Sequence, residues 1–220
     1  MAAPRITLYL DIVSPFGYIA FHVLQNSPVF AKCDITYIPI FLGGLMKACE
    51  NTPPVTIKNK NVWIGKERIR WARRFSVPMV EHTPEGFPPV TLATQRALCA
   101  VSLKSPRKLI STIEALYHSF WVQGNAKIAQ VGSFTPILES VLGSDGAQEI
   151  LTAMDQPETK ELLKANTDQA FKSGAFGIPW FECTNTKGET EGFWGIDHIG
   201  QVTDFLDLDR SLDTGFKAVL

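Results

Sequence analysis

The chain has 220 residues, of which 45% are hydrophobic and 20% are charged, and its formal net charge is −1 at pH 7. This composition is that of a folded globular protein and excludes a disordered chain. The balanced charge also excludes the broadly basic surface that a nucleic-acid-binding protein needs to neutralise phosphates. We therefore expect no nucleic-acid partner. No stretch reaches the roughly 18 apolar residues of a membrane-spanning helix, so we also expect no membrane span.

The N-terminal part of the chain predicts a strand, a helix and a second strand. Apolar residues stand at every second position from Ile6 to Ile12, which is the period of a strand. Residues 17–30 carry a helical apolar stripe, and residues 34–41 form another strand-like run. This order predicts a βαβ unit with parallel strands. The residues that follow, 43–61, are predicted to be loop-rich.

The middle of the chain is predicted to be helical, and the end to return to strands. A hairpin that turns near Lys187-Gly188 and a helix at 197–208, capped by Asp197, complete a ββα unit. Because βαβ and ββα together make the thioredoxin core, we predict an α/β fold. Residues 1–48 and 174–220 would form the core, and residues 49–173 an all-helical insertion. The predicted helices of the insertion span 61–75, 89–103, 106–123, 134–142, 145–154 and 157–173.

The cysteines and histidines give no indication of a metal site. Cys33, Cys49, Cys99 and Cys183 form neither a Cys-x-x-Cys pair nor a zinc-finger spacing, and the four histidines show no ligand spacing. We therefore expect free thiols in a reducing, intracellular compartment, with cytoplasm, mitochondrion and peroxisome left open. The densest basic cluster, Gly65–Arg74, is interpreted as a solvated helix face or as a local site for one small anion.

Ser14 stands where the first strand gives way to the first helix. In a redox protein of this fold the position carries the first cysteine of Cys-x-x-Cys. Here the tetrad is Ser14-Pro15-Phe16-Gly17, so dithiol exchange through it is excluded. Serine is a preferred N-terminal cap and proline is favoured after it, so a purely structural role is sufficient. However, the N–H groups and dipole of a helix N-terminus also stabilise a thiolate, to which the hydroxyl could donate.

Two later segments would face Ser14 in a thioredoxin fold. In "GAFGIPW", residues 174–180, the Ile178-Pro179 bond is predicted to be cis, and the backbone of Ile178 would pair with an extended peptide. In "GFWGIDHI", residues 192–199, Asp197 can cap its own helix or accept from a ligand ammonium group. Glutathione has the thiol, the peptide-like middle and the amino-acid end that these three places would contact in turn.

Four segments in chain order carry a resemblance to a known family. They are "DIVSPFGYIAF", "FLGGLMKACENTPP", "GAFGIPW" and "FWGIDHI". Together they resemble the kappa-class glutathione transferases and the related 2-hydroxychromene-2-carboxylate isomerases, both DsbA-like thioredoxin folds. The resemblance spans nearly the whole chain. It implies a glutathione-dependent enzyme, with glutathione as co-substrate or cofactor, no metal, and a small electrophile as its partner. Since proteins with a glutathione site usually dimerise, a homodimer is expected.

The resemblance also implies roles for individual residues. Ser14 resembles the catalytic serine that hydrogen-bonds the glutathione thiolate. Ile178, before Pro179, resembles the residue that pairs with the cysteinyl backbone, and Asp197 the carboxylate that binds the γ-glutamyl amine. Asn51 and Lys60 resemble polar contacts to glutathione.

The chain departs from the family pattern at three places. Ile196 stands where the family has Ser or Asn against the γ-glutamyl carboxylate, so only its backbone N–H could serve. His198 replaces an Arg, and Gly17-Tyr18 replaces a Ser-Trp or Ala-Tyr type of pair.

Three functions remain open from the sequence. A kappa-type transferase would use the thiolate to attack a soft electrophile, whereas an isomerase would add the thiolate to an unsaturated substrate and later expel it. A binding protein that has lost catalysis is the third possibility. The acceptor pocket would lie between the core and the helical insertion. Its candidate wall residues are Phe16, Phe41, Met46, Trp63 and Trp194.

Overall fold

The computed structural model describes residues 2–217, and a sheet of four strands lies at its centre. The strands β1 (Arg5–Leu10), β2 (Asp34–Pro39), β3 (Trp180–Thr184) and β4 (Thr190–Trp194) are arranged in the order β2-β1-β3-β4. β1 runs parallel to β2 and antiparallel to β3, and β3 and β4 form an antiparallel hairpin. The predicted βαβ and ββα units are therefore confirmed, and β1 is a central strand.

Helices cover the sheet and fill the segment between its two halves. Within the described residues, none of them combines the length and hydropathy that a membrane span requires. The α5 helix continues as a π-helical turn at His118–Val122, and α6 is broken at Gly143, where φ is 77°. Short 3-10 turns include Pro54–Thr56 and Ile196–His198. The helices are α1 (Pro15–Asn26), α2 (Leu42–Ala48), α3 (Lys60–Arg74), α4 (Leu92–Lys104), α5 (Leu109–Tyr117), α6 (Val131–Ala153), α7 (Pro157–Lys172) and α8 (Ile199–Phe205).

Two predicted segments differ from the structure. The helix predicted at 17–30 ends at Asn26, because Ser27 precedes Pro28 and takes an extended ψ of 126°. The segment predicted to be loop-rich contains α2, which begins with Leu42 and the glycines Gly43 and Gly44. Glycine lowers helix propensity, so nothing local marks this helix. Its first N–H is instead bonded by a side chain from β1's end, as described below.

A large apolar cluster joins the sheet to the helices, and a second, smaller cluster contains Tyr9 of β1 and Ala170 of α7. The large cluster contains Leu8 of β1, Ile19 of α1 and, from the predicted insertion, Leu98, Leu116 and Phe134. Since these side chains are in contact within one cluster, the helical segment packs with the strands as a single body. The division of the chain at residues 48/49 and 173/174 stays a prediction.

A buried carboxylate holds three segments together beside the start of α1. Asp11, which follows β1, has no exposed surface. Its Oδ1 accepts from Val13 N at 3.1 Å, Thr91 Oγ1 at 2.6 Å and Gln95 Nε2 at 2.9 Å, and its Oδ2 accepts from Leu42 N at 2.9 Å. Burial raises the pKa of Asp11, and these four hydrogen bonds oppose that rise by favouring the charged form. The side chain thereby ties the turn after β1 to the first residue of α2 and the start of α4.

We predict that Asp11→Asn weakens this arrangement without changing its volume. An amide can accept on one side only, so one of the buried donors, such as Leu42 N–H, loses its partner. A buried donor without a partner costs about 1–3 kcal/mol, and the free energy of unfolding in urea should fall by that amount. Asp34→Asn is the control, since Asp34 is exposed. Equal stability of the two variants would contradict the role of Asp11.

Candidate functional site

The sheet brings the three predicted motifs to the same end of the molecule. Tyr9 near the end of β1 pairs with Trp180 at the start of β3, and Trp180 pairs with Trp194 at the end of β4. The segments 11–14, 177–179 and 195–197 therefore leave the sheet side by side. Gly195 N donates to Pro179 O at 3.0 Å, and α1 packs against the Ile196–His198 turn.

Ser14 is both the cap of α1 and a free hydroxyl donor. Its Oγ accepts from Gly17 N at 3.0 Å, and its backbone is extended, with φ −87° and ψ 117°. Accepting this bond uses a lone pair and leaves the hydroxyl hydrogen available. Pro15 has no N–H, and within residues 2–217 Phe16 N has no acceptor. The N-terminus of α1 therefore presents an O–H, an N–H and the positive end of the helix dipole to a ligand.

The helical segment supports the turn that carries Ser14. Tyr117 Oη donates to Asp11 O at 3.3 Å, and Trp121 Nε1 donates to Ile12 O at 3.0 Å. Burial, with the nearby charge of Asp11, raises the pKa of Tyr117 well above its usual value, so its hydroxyl stays protonated and donates. A Cβ at Gly17 would lie 3.0 Å from Tyr117 Oη. The close fit against this hydroxyl explains why glycine stands at position 17.

The backbone before Pro179 is free to pair with an extended ligand. The Ile178-Pro179 bond is cis, as predicted. Within residues 2–217, neither the N–H nor the C=O of Ile178 has a hydrogen-bond partner. Buried backbone groups are nearly always paired, and Ile178 is 8% exposed. Its open N–H and C=O are thus suited to the strand-like pairing that a peptide backbone makes.

The prediction that Asp197 caps the last helix is wrong. Asp197 lies inside the Ile196–His198 turn, and α8 begins only at Ile199. No side-chain cap bond is made there, because the Asp197 carboxylate turns back over Gly195, where a Cβ would overlap its Oδ1. The carboxylate is 59% exposed and lies 3.5 Å from His198 Nδ1. It therefore remains accessible to a ligand cation.

The side chain of Ile196 faces the interior and not the ligand side. It is 2% exposed and belongs to the large apolar core cluster. The isoleucine therefore contributes packing, and the backbone N–H is what position 196 offers a ligand.

Asn51 connects two of the segments around the site. Asn51 Nδ2 donates to Phe176 O at 2.8 Å, and Cys49 Sγ donates to Ala175 O at 3.3 Å. The loop after α2 is therefore bonded to the segment that leads to Pro179. Lys60, at the first position of α3, is exposed.

A cavity of about 320 Å³ opens beside Pro15, and its walls differ from those predicted for the acceptor. Phe16 and Met46 pack inward, whereas Trp63 and Trp194 are 53% and 42% exposed. Phe41 packs against Gly43. These five residues are not among the cavity's walls. The cavity is lined by Pro15, Val55, Asn61, Ile64, Gly65, Arg68, Thr83, Phe87 and Trp121.

The four cysteines are free, as predicted. Burial raises the pKa of the Cys33 thiol to about 11 and that of the Cys99 thiol to about 12, and it raises the pKa of Cys183 further. These three thiols therefore stay protonated at neutral pH and are poor nucleophiles. Within residues 2–217, no group of three or more His, Cys, Asp or Glu side chains is arranged to hold a metal ion.

Several residues of the site are not identified by sequence reasoning. Asp11 has two signals in the sequence. It is an acid within an apolar strand run, and it begins the "DIVSPF" segment. Tyr117 and Trp121 lie about a hundred residues after the turn that they support. No pattern within the βαβ unit predicts these contacts. Arg68 is hidden within a basic run whose other cations are more exposed. Only the packing of distant segments reveals these roles.

Comparison with known proteins agrees with this geometry. A family model described as a DSBA-like thioredoxin domain matches residues 5–207. The chain is 26% identical to glutathione S-transferase kappa 1 of Caenorhabditis elegans over 219 residues, which cover 95% of this chain and 93% of that protein. It is 28% identical to 2-hydroxychromene-2-carboxylate isomerase of Sphingobium xenophagum over 207 residues, which cover 92% and 95%.

A solved structure of 2-hydroxychromene-2-carboxylate isomerase has the same fold. It matches with a TM-score of 0.75 at 19% identity, covering 92% of this chain and 94% of the other. The resemblance predicted from the four motifs is confirmed by these comparisons. With the thioredoxin core, the helical segment and the cis-proline in place, the chain belongs to the family of DSBA-like thioredoxin domains.

Proposed function

We propose that the protein is a glutathione transferase of kappa type, in which Ser14 stabilises the glutathione thiolate for attack on a small electrophile. The observation that carries the proposal is the hydroxyl of Ser14. It is held by Gly17 N at the N-terminus of α1 and keeps its hydrogen for a ligand. The relatives named as kappa transferases support the glutathione-dependent class.

The thiol end of glutathione would lie against the first turn of α1. The Ser14 hydroxyl and the Phe16 N–H would donate to the sulfur, and both favour the thiolate over the thiol. On binding, the S–H proton passes to solvent, since neither Ser14 nor the buried Tyr117 is a base at neutral pH. The thiolate electron pair then forms a carbon–sulfur bond with the electrophile, which either expels a leaving group or takes up a proton from water.

The rest of glutathione would extend across the three adjoining segments. The N–H and C=O of Ile178 would pair with the cysteinyl unit, as an added strand would. The exposed Asp197 carboxylate would accept from the γ-glutamyl ammonium, while the N–H of Ile196 would donate to the carboxylate of the same group. Asn51 and Lys60 would contribute polar contacts from the loop after α2 and the start of α3.

A second candidate is a glutathione-dependent isomerase. The 28% identical isomerase of Sphingobium xenophagum favours it. In this reaction the thiolate adds to an unsaturated carbon, the adduct changes configuration, and the thiolate is expelled with its electron pair. Glutathione is regenerated, so the absence of a conjugate among the products would separate the isomerase from the transferase.

We predict that Ser14→Ala lowers kcat/KM for conjugation of chlorodinitrobenzene about 10- to 100-fold. A hydrogen bond to a charged group contributes about 1.5–3 kcal/mol, and the variant lacks that bond. The pKa of the bound thiol, followed by thiolate ultraviolet absorbance against pH, should rise in parallel. That readout separates the role of the hydroxyl from loss of the helix cap alone.

Ser27→Ala is the matched control for this variant. Ser27 is a buried serine at the other end of α1, and its hydroxyl donates to Asp213 Oδ2 at 2.6 Å. Its loss should reduce stability and leave the thiol pKa unchanged. If Ser14→Ala retained full activity with an unshifted thiol pKa, Ser14 would not be the catalytic residue.

We predict that Asp197→Asn weakens binding of glutathione selectively at its amine. An exposed ion pair is worth about 0.2–1 kcal/mol, so the Kd measured by calorimetry should rise about 1.4- to 5-fold. Glutaryl-cysteinyl-glycine, which lacks the amine, should bind the variant and the unchanged protein equally. A similar loss for both ligands would show that Asp197 does not bind the amine.

A further inference from the structure

We propose that residues 57–66, called the α3 corner below, form a peripheral docking surface for an anionic lipid bilayer. The corner consists of the residues that follow the Pro54–Thr56 turn and the first two turns of α3. It carries three exposed apolar and three exposed basic side chains, which are Ile57, Val62, Trp63, Lys58, Lys60 and Lys66. The inference goes beyond the proposed glutathione chemistry, since it concerns a surface and not the thiol site.

The apolar side chains of the corner are turned toward solvent. Ile57, Val62 and Trp63 are 42%, 59% and 53% exposed, and Trp63 is the most exposed of the five tryptophans. α3 packs against the protein by another face, which carries the buried Ile64 and Ala72. A single exposed apolar residue needs no explanation, whereas a cluster of them indicates a surface that is covered when the protein is in use.

The geometry of the helix start places these side chains together. Val62 and Trp63 lie four and three residues before Lys66, so the three side chains share one side of α3. Lys60 N donates to Ile57 O at 3.0 Å, which folds the residues before the helix against its first turn. The apolar and basic groups of the corner therefore form one continuous patch.

The charge of the corner is positive and locally uncompensated. Residues 51–66 contain no Asp or Glu, although the whole chain has a net charge of −1. In the described part of the chain, none of the three lysines of the corner lies within ion-pair distance of a carboxylate. The next acid along the chain, Glu67, pairs with Arg70. A local positive field on a chain without net positive charge favours an anionic partner at this place.

An anionic bilayer matches both properties of the corner. Tryptophan is favoured at the level of the lipid headgroups, where its ring is half in apolar surroundings. A lysine beside it can lay its aliphatic stem along the apolar boundary and extend its ammonium group to the headgroups. Anionic lipids attract such lysines, and the combination of inserted apolar groups and basic neighbours is typical of surfaces that bind membranes reversibly.

The small apolar area favours a bilayer over a folded protein partner. A stable protein–protein interface buries about 800 Å² on each partner, of which three side chains supply only a small part. A bilayer needs no matching shape and accepts a few inserted side chains. The corner therefore has the size and chemistry of a membrane contact.

Cosedimentation of the full chain with lipid vesicles tests the inference. The vesicles are phosphatidylcholine alone, or phosphatidylcholine with about 30 mol% phosphatidylserine. Each lysine near an anionic bilayer strengthens binding about fivefold, so the three lysines should make binding to the anionic vesicles about 100-fold stronger. Sodium chloride at about 0.5 M shortens the Debye length to about 4 Å and should release the protein. Equal binding to both vesicles, or no binding to the anionic ones, would overturn the inference.

The double variant Lys58→Gln/Lys66→Gln tests the place of the charge. It should bind the anionic vesicles about 25-fold more weakly, at about fivefold for each lysine. Lys60 is left in place, because the proposed function uses it. The control is Lys127→Gln/Lys187→Gln, which removes the same charge from exposed lysines elsewhere. Equal losses in the two double variants would show that net charge alone is sensed and would overturn the inference.

Trp63→Ala tests the apolar part of the corner. Loss of a side chain that enters the bilayer should weaken binding about tenfold. The unfolding temperature should not change, because Trp63 is exposed in the free protein. Phe171→Ala is the control, since Phe171 is an aromatic residue of α7 that is 46% exposed. Unchanged binding of Trp63→Ala would show that the lysines attract an anion through charge alone, and it would overturn the inference.

Tryptophan quenching by lipids that are brominated in the acyl chain reports insertion directly. The full chain should be quenched on binding to anionic vesicles, and Trp63→Phe should lose most of that quenching. Equal quenching of the two proteins, or none, would overturn the inference. These experiments contain no glutathione, so they report on the α3 corner, whereas the thiol pKa of bound glutathione reports on Ser14.

Discussion

The buried carboxylate of Asp11 is the constraint on which the rest of the site depends. A charge without exposed surface is tolerated only when hydrogen bonds satisfy it, and Asp11 obtains four from three separate segments. Those bonds hold the turn before Ser14, the first residue of α2 and the start of α4 in one arrangement. The position of the Ser14 hydroxyl is thereby determined by interactions that neither strand nor helix propensity would supply.

The site draws on both parts of the fold for different purposes. The sheet places Ser14, Ile178 and Asp197 on adjoining segments, which suits an extended ligand that meets them in sequence. The helical segment adds the supports under that turn, through Tyr117 and Trp121, and the walls of the cavity. Without the helical segment, the proposed thiol site at Ser14 would have no cavity beside it.

Two of the three departures from the family motifs, at Gly17 and at Ile196, have structural explanations in this chain. Gly17 avoids a close contact with the Tyr117 hydroxyl, and Ile196 turns inward to fill the core. The side chain of Ile196 therefore contributes packing, and within residues 2–217 its backbone N–H has no hydrogen-bond acceptor. Three of the free cysteines are deeply or partly buried with raised pKa values, so the reactive sulfur in our proposal comes from the ligand.

The sequence by itself determined the features that depend on neighbouring residues: the strand period of β1, the cap and proline of α1, the hairpin turn, and four motifs in family order. They made Ser14 the candidate catalytic residue and predicted the cis bond at Pro179, which the structure contains, and the comparisons confirmed the fold. Only the tertiary structure decided what distant segments do to each other. It showed that Asp11 bonds the start of α2, that Asp197 is no cap, and that Tyr117 and Trp121 support the turn before Ser14. Local patterns record what one segment prefers, whereas burial, shared hydrogen bonds and uncompensated charge arise only when segments far apart in the chain are packed together.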